Sequence, residues 1–132
     1  MTAVSGGVAP RVRFDSQGLV PAIVQEGLRG RILMMAWMNR RALSLTLKTG
    51  FAHFYSRSRG KLWKKGEESG HVQEVREVRL DCDGDVVLLI AHQRGGGACH
   101  AGFRSCFFRR RRGGRWVVAD ARIFDPARVY KR

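Results

Sequence analysis

The sequence is poor in acidic residues: its 132 residues include 11 Asp and Glu against 25 Lys and Arg, a formal net charge of +14. No apolar run approaches the roughly 20 residues of a membrane span, and the N-terminus has no signal-peptide pattern. We therefore expect a cytoplasmic protein without a membrane anchor. The positive charge predicts attraction to polyanions, phosphorylated metabolites included.

Cysteine is scarce as well, with only Cys82, Cys99 and Cys106. An odd number cannot pair fully within one chain, and in a reducing compartment clustered cysteines indicate a metal or catalysis. The spacing contains no Cys-x2-Cys knuckle, which excludes a standard zinc finger. Three ligands with an open fourth position are typical of catalytic zinc. The alternative is that Cys82 and Cys106 are small buried apolar residues.

Three aspartates, Asp81, Asp83 and Asp85, alternate around Cys82. On an extended strand they would share one face, with Cys82 on the other. A hard cation such as magnesium would relieve the repulsion between the carboxylates. The alternative is a hairpin turn at Asp83-Gly84 with solvated acids. An EF-hand is excluded, because other residues occupy its Gly and Glu positions.

The order of the predicted elements indicates one α+β domain in which strands outnumber helices. A helix is expected after Asn39, a good N-cap, and before Gly50. Pro21 indicates a strand edge or a strand end. Strands are predicted at 12–14, 19–25, 32–37, 51–56, 72–82, 86–90, 106–108 and 116–118, loops at 57–70 and 94–102, and an exposed basic turn at 109–114.

Several motifs in order carry a resemblance to a known family. They are Phe54-Tyr55-Ser56-Arg57-Ser58-Arg59, Leu62-Trp63, Lys65-Gly66-Glu67, Ser69-Gly70-His71-Val72-Gln73, Leu80-Asp81-Cys82-Asp83-Gly84-Asp85, Ala98-Cys99-His100 and Ser105-Cys106-Phe107. Over residues 14–108 the chain resembles phosphoribosyl-AMP cyclohydrolase, the histidine-biosynthesis hydrolase that acts on a cyclic amidine. One departure is Glu68, which stands where the family usually has Thr.

The resemblance implies an intertwined homodimer, mostly of antiparallel strands with one main helix, which binds zinc at the subunit interface and magnesium nearby. The implied zinc ligands are Cys82, Cys99 and Cys106, one of them donated by the partner, and the implied magnesium ligands are Asp81, Asp83 and Asp85. A zinc-activated water would add to C6 of the purine, and the N1–C6 bond would then break. The product would be the formimino-aminoimidazole carboxamide ribotide.

Proton transfer in this reaction is assigned to His100, with His71 second, because histidine titrates near neutral pH. His100 could instead be a fourth zinc ligand, and a surface or structural role is the alternative for either residue. Arginine forks, hydroxyls and loop amides bind phosphate, so the expected substrate-binding residues are Ser56, Arg57, Ser58, Arg59, Trp63 and Lys65. A solvated basic loop is the alternative there.

The expected domain covers residues 14–110. A mobile segment, 1–13, would precede it, and a basic C-terminal extension, 111–132, would be packed on it or trail from it. A rival interpretation is a basic zinc-containing module that binds nucleic acid, since Phe54 and Tyr55 lie near arginines. Three aspartates at the site argue against it, because they would repel phosphates.

Overall fold

The computed structural model describes residues 11–130 as an α+β fold, mostly of strands with one main helix. The strands are β1 Val20–Glu26, β2 Ile32–Met38, β3 His53–Ser56, β4 Lys61–Lys64, β5 Gln73–Leu80, β6 Val87–Gln93, β7 Arg109–Arg112 and β8 Arg115–Val118, and the helices are α1 Arg40–Thr49 and α2 Pro126–Val129. The predicted mobile N-terminal segment lies outside the described residues over positions 1–10.

The main sheet has four strands in the order β2-β1-β6-β5. Its β1–β2 and β5–β6 pairs are antiparallel, whereas β1 and β6 run parallel. Pro21 pairs with Trp37 of β2, but the pairing with β6 starts only at Ala22. The proline therefore lies at a strand end, one of the two predicted positions, where no ladder donor is lost.

Helix α1 begins and ends as predicted. The Asn39 side chain accepts a hydrogen bond from the amide of Ala42 at 2.8 Å, which satisfies one of the free N–H groups of the first turn. Gly50 ends the helix in the left-handed conformation with φ 79°. The buried face of the helix presents Ala42, Leu43 and Thr46, and a core of apolar side chains from β1, β2, β3 and β6 lies beside it.

Four predicted elements differ from the structure. Residues 12–14 and 106–108 form no strand. The predicted loop 57–70 contains β4, which pairs with β3 from Ser56↔Lys61 to His53↔Lys64. The predicted basic turn 109–114 is mostly strand β7, because Gly113 and Gly114 alone make the turn, both with positive φ. Across residues 11–130, no helix is long and apolar enough to span a membrane.

Candidate active site

The three aspartates lie in the turn that joins β5 to β6. Its conformation is a turn and not the extended strand predicted from alternation. The Gly84 amide donates to the Asp81 carbonyl at 3.1 Å, and Gly84 has a φ of 76°, which favours glycine. Ligand oxygens of Asp81, Asp83 and Asp85 nevertheless converge within 4.8 Å of one another. The turn therefore brings together the carboxylates that would share one face of an extended strand.

The carboxylates of this turn influence each other. The Asp81 carboxylate accepts hydrogen bonds from the amides of Asp85 and Val86, at 3.0 and 3.2 Å. Desolvation acts to raise the pKa of Asp81, but these hydrogen bonds outweigh it and lower the pKa. The pKa of Asp85 is raised, chiefly by its interaction with the Asp81 side chain. Such an arrangement of interacting carboxylates favours a cation that neutralises them.

Two of the three cysteines lie at the ends of one tight loop. Within it, the Ala98 amide donates to the Arg104 carbonyl at 2.9 Å, and the Cys99 amide donates to the Phe103 carbonyl at 3.1 Å. The loop is tied to β2 by the Cys106 amide, which donates to the Leu33 carbonyl at 2.7 Å. The backbone therefore fixes Cys99 and Cys106 relative to each other and to the sheet.

The side chains of Ser105, Arg104 and Lys65 hold the same loop in place. Buried Ser105 donates its hydroxyl to the Ile32 carbonyl at 2.7 Å. Arg104 forms an ion pair with Glu26 of β1. Lys65, only 7% exposed, donates from Nζ to the Ala98 carbonyl at 2.5 Å. These contacts connect the cysteine loop to β1, to the start of β2 and to the residue after β4.

The Cys99 and Cys106 thiols share their surroundings with the Lys65 ammonium group. Cys106 is exposed as a residue, but burial of its thiol, together with the charge of Cys99, raises the pKa of that thiol to about 12. Burial also lowers the pKa of Lys65, and the two cysteines partly offset this effect. Two adjacent thiols beside a buried cation are suitable donors for a soft metal such as zinc.

Cys82 lies far from this pair within one chain. It follows β5 in the aspartate turn, whereas Cys99 follows the other end of β6. The seven residues of β6 separate those ends by about 20 Å at the usual rise per residue. Among residues 11–130, the convergent groups of three or more potential metal ligands include none with a cysteine. One chain thus offers a pair of thiols, and the third thiol lies at the opposite end of the sheet.

A cavity of about 380 Å³ opens beside the cysteine loop. His100, which is exposed, lines it. Four of the six predicted substrate-binding residues line it too, namely Ser56, Arg59, Trp63 and Lys65. The remaining lining residues are Lys61, Lys64, Gly66, Glu67, Glu68, Ser69 and Tyr130. Its volume falls in the range of small-molecule pockets, and its excess of cationic groups suits a phosphorylated ligand.

Of the predicted catalytic and substrate-binding residues, three lie outside this cavity. Arg57 and Ser58 line a separate concavity, where the Arg57 guanidinium lies 4.4 Å from the centroid of the Trp37 ring. The His71 ring packs edge-on against Phe124 at 4.8 Å between centroids. Its Nδ1 is buried and has no hydrogen-bond partner among the described residues.

Tyr130 lines the cavity although no sequence pattern predicted it as a site residue. It lies beyond the range of the family resemblance, and no motif marks it. The only available signal was Asp125-Pro126, a helix-start pattern that indicates an ordered segment near the C-terminus. In the structure, Asp125 does cap α2 by accepting from the Ala127 amide at 3.0 Å.

The fold and this basic cavity are of the kind found in enzymes that act on a phosphorylated small molecule. A profile of the family described as Phosphoribosyl-AMP cyclohydrolase matches residues 34–108. The chain belongs to this family, whose name designates a hydrolase of histidine biosynthesis. This membership favours the enzyme over the nucleic-acid-binding module.

Curated relatives with the name phosphoribosyl-AMP cyclohydrolase match most of the chain. The protein of Chromobacterium violaceum is 56% identical over 130 residues, which cover 98% of each chain. The protein of Nitratidesulfovibrio vulgaris is 58% identical over 114 residues, 86% of this chain and 90% of its own. The protein of Bordetella petrii is 58% identical over 124 residues, 91% and 92% respectively.

Proposed function

We propose that this chain hydrolyses the N1–C6 bond of the adenine ring of phosphoribosyl-AMP, which opens the ring in a step of histidine biosynthesis. The observation that carries the proposal is the family match over residues 34–108, together with relatives of that name that cover nearly the whole chain. The basic cavity beside His100 supports it, because the substrate carries two phosphates that cationic groups would bind.

Zinc is proposed as the first cofactor, bound between two subunits. The Cys99 and Cys106 pair of one chain and Cys82 of a second chain would hold it. Soft thiolates suit zinc, and within one chain the pair and Cys82 lie beyond opposite ends of strand β6. When bound, zinc would supply Lewis-acid activation of the attacking water. The chain's own contribution is to fix the two thiols through the backbone bonds of the cysteine loop.

A homodimer is supported by apolar side chains exposed next to the thiol pair. Phe107, which follows Cys106, is 58% exposed, and Ile32 and Met35 of edge strand β2 are also exposed. Contact with a second copy would remove these side chains from water, which is favourable. A protein that depends on three free thiols also suits a reducing compartment, so we propose a cytoplasmic location.

Within the cavity, the proposed roles follow from the lining groups. Ser56 and Arg59 would bind a substrate phosphate, and Trp63 would supply an aromatic face. Lys65 would contribute its positive charge to the cavity wall, while its ammonium group donates a hydrogen bond to the Ala98 carbonyl. His100 would donate a proton to N1 when the N1–C6 bond breaks, because histidine can donate a proton near neutral pH.

Magnesium is the proposed cation of the aspartate turn, and Asp83→Asn tests it. We expect the Mg²⁺ concentration for half-maximal turnover to rise about tenfold, because one of three anionic ligands is lost. Asp83 is the appropriate residue to change, since Asp81 also accepts the backbone amides that shape the turn. Glu77→Gln is the matched control, because this exposed carboxylate lies on β5 outside the turn. An unchanged Mg²⁺ requirement in Asp83→Asn would contradict the assignment.

The enzymatic proposal is tested by measuring zinc content and phosphoribosyl-AMP turnover on the same purified protein. We expect a strong chelator to abolish turnover and added Zn²⁺ to restore it in proportion to the bound metal. The reason is that zinc held by the thiols is proposed to activate the attacking water. Ring opening is followed from the change in ultraviolet absorbance of the purine. A folded, zinc-loaded dimer that leaves phosphoribosyl-AMP intact would overturn the proposed function.

A further inference from the structure

The C-terminal segment, defined here as residues 119–130, lies against the cysteine loop although it falls outside the range matched by the family profile. The Ile123 amide donates to the Gly102 carbonyl at 2.8 Å, and the Phe124 amide approaches the same oxygen at 3.3 Å. Asp120 forms a salt bridge with Arg31 at 2.7 Å. Polar contacts therefore attach this segment to the loop that carries Cys99 and His100, and also to Arg31 just before β2.

Close packing accompanies these polar contacts. A Cβ on Gly102 would lie 2.4 Å from the Phe124 carbonyl oxygen, and one on Gly97 would lie 2.9 Å from the Phe124 ring. Only glycine permits such approaches. The Phe124 ring also packs nearly perpendicular to the His71 ring, at 4.8 Å between centroids. The backbone of the C-terminal segment therefore packs directly against the glycines of the loop.

This attachment fixes the position of the last described residue, Tyr130. Helix α2 follows Phe124 directly, is capped by Asp125, and ends where the Tyr130 amide donates to the Pro126 carbonyl at 2.9 Å. Tyr130 is half-buried and lines the same cavity as His100 and Trp63. Most other side chains of the cavity wall are charged or hydroxyl-bearing, so Trp63 and Tyr130 are its large aromatic side chains, beside the imidazole of His100.

We infer that the C-terminal segment completes the substrate cavity and that the Tyr130 ring contacts the heterocycle of the bound substrate, an inference that rests on the proposed function. The cationic groups of the wall suit the phosphates, which leaves the planar base to the aromatic faces. Proteins commonly hold nucleobases by stacking them on such rings. The segment therefore contributes directly to substrate affinity as well as to the packing of the loop.

The test compares Tyr130→Ala, Tyr130→Leu and Tyr130→Phe in steady-state turnover of phosphoribosyl-AMP. Loss of the ring in the Ala and Leu variants should raise KM about tenfold, as expected for one lost stacking contact, with a smaller change in kcat. Tyr130→Phe keeps the ring and should retain the wild-type KM. Arg128→Ala is the matched control, because that α2 side chain is 87% exposed and does not line the cavity.

Zinc content and thermal melting temperature separate this role from a purely structural one. Both should equal the wild-type values in Tyr130→Leu, which keeps a bulky apolar side chain. A wild-type KM in Tyr130→Ala or Tyr130→Leu would overturn the inference, as would a Tyr130→Phe variant as impaired as Tyr130→Ala. Absence of turnover in the wild-type enzyme would overturn the proposed function instead, so the two failures are distinguishable.

Discussion

Cys82→Ser and Cys99→Ser variants should each be inactive, yet their co-expression should restore about a quarter of wild-type turnover. In a mixed dimer, one of the two zinc sites combines the intact Cys99 and Cys106 of one chain with the intact Cys82 of the other. About half of randomly assorted dimers are mixed, and each has one complete site of two. Recovery follows because the thiols at opposite ends of β6 must come from different chains to meet.

The matched control mixes Cys99→Ser with Cys106→Ser. Both thiols of a site come from the same loop of the same chain, so every zinc site in that mixture lacks one ligand. Turnover and bound zinc should stay at the level of the single variants. Recovery in this control, or failure in the Cys82→Ser with Cys99→Ser mixture, would contradict the proposed division of ligands. Zinc content of the separated mixed dimer provides the same comparison without an activity assay.

The sequence could not predict that Cys82 is separated from Cys99 and Cys106, because this separation depends on the fold. Spacing along the chain reveals that sixteen residues separate Cys82 from Cys99, but not that a complete strand, β6, carries the chain from one end of the sheet to the other in between. Local patterns were more informative. The Asn39 cap and Gly50 stop defined α1, because capping depends on neighbouring residues alone.

The aspartate turn illustrates how two local interpretations can compete. Alternation predicted an extended strand, and Asp83-Gly84 predicted a hairpin turn; the turn is what forms, since Gly84 adopts a positive φ. The carboxylates converge all the same, because a tight turn brings residues two and four positions apart together. The conclusion that these side chains form one group was therefore correct, although the reason given for it was wrong.

Tertiary packing decided which members of the basic segment face the cavity. Ser56 and Arg59 belong to the β3–β4 hairpin and line it, whereas Arg57 turns the other way and covers Trp37. The prediction of a single loop over 57–70 could not distinguish the residues that face the cavity from those that do not. That distinction arises only because 61–64 pairs with β3 as β4. The role of Tyr130 could not be predicted for a related reason. Its position depends on contacts between the C-terminal segment and Gly102, which is distant in the sequence.

Replacement of His100 by Asn should lower kcat about 100- to 10,000-fold, the range typical for loss of a general acid or base, while zinc content stays unchanged. The physical reason is that Asn keeps a polar side chain of similar size but cannot transfer a proton. His92→Asn is the matched control, because His92 is also exposed but lies on β6 outside the cavity. Turnover is measured at saturating substrate and metal.

Two further results distinguish a proton-transfer role of His100 from a role in metal binding. Added imidazole should restore part of the turnover of His100→Ala, since the exposed position beside the cavity admits a small base. Loss of zinc in His100→Asn, or full turnover by that variant, would contradict the assignment. His71 is the weaker candidate, because its ring is packed against Phe124 and a Cβ on Gly95 would come within 2.0 Å of it. A proton donor must reach the reacting nitrogen, and of the two histidines only His100 lines the cavity where the substrate is proposed to bind.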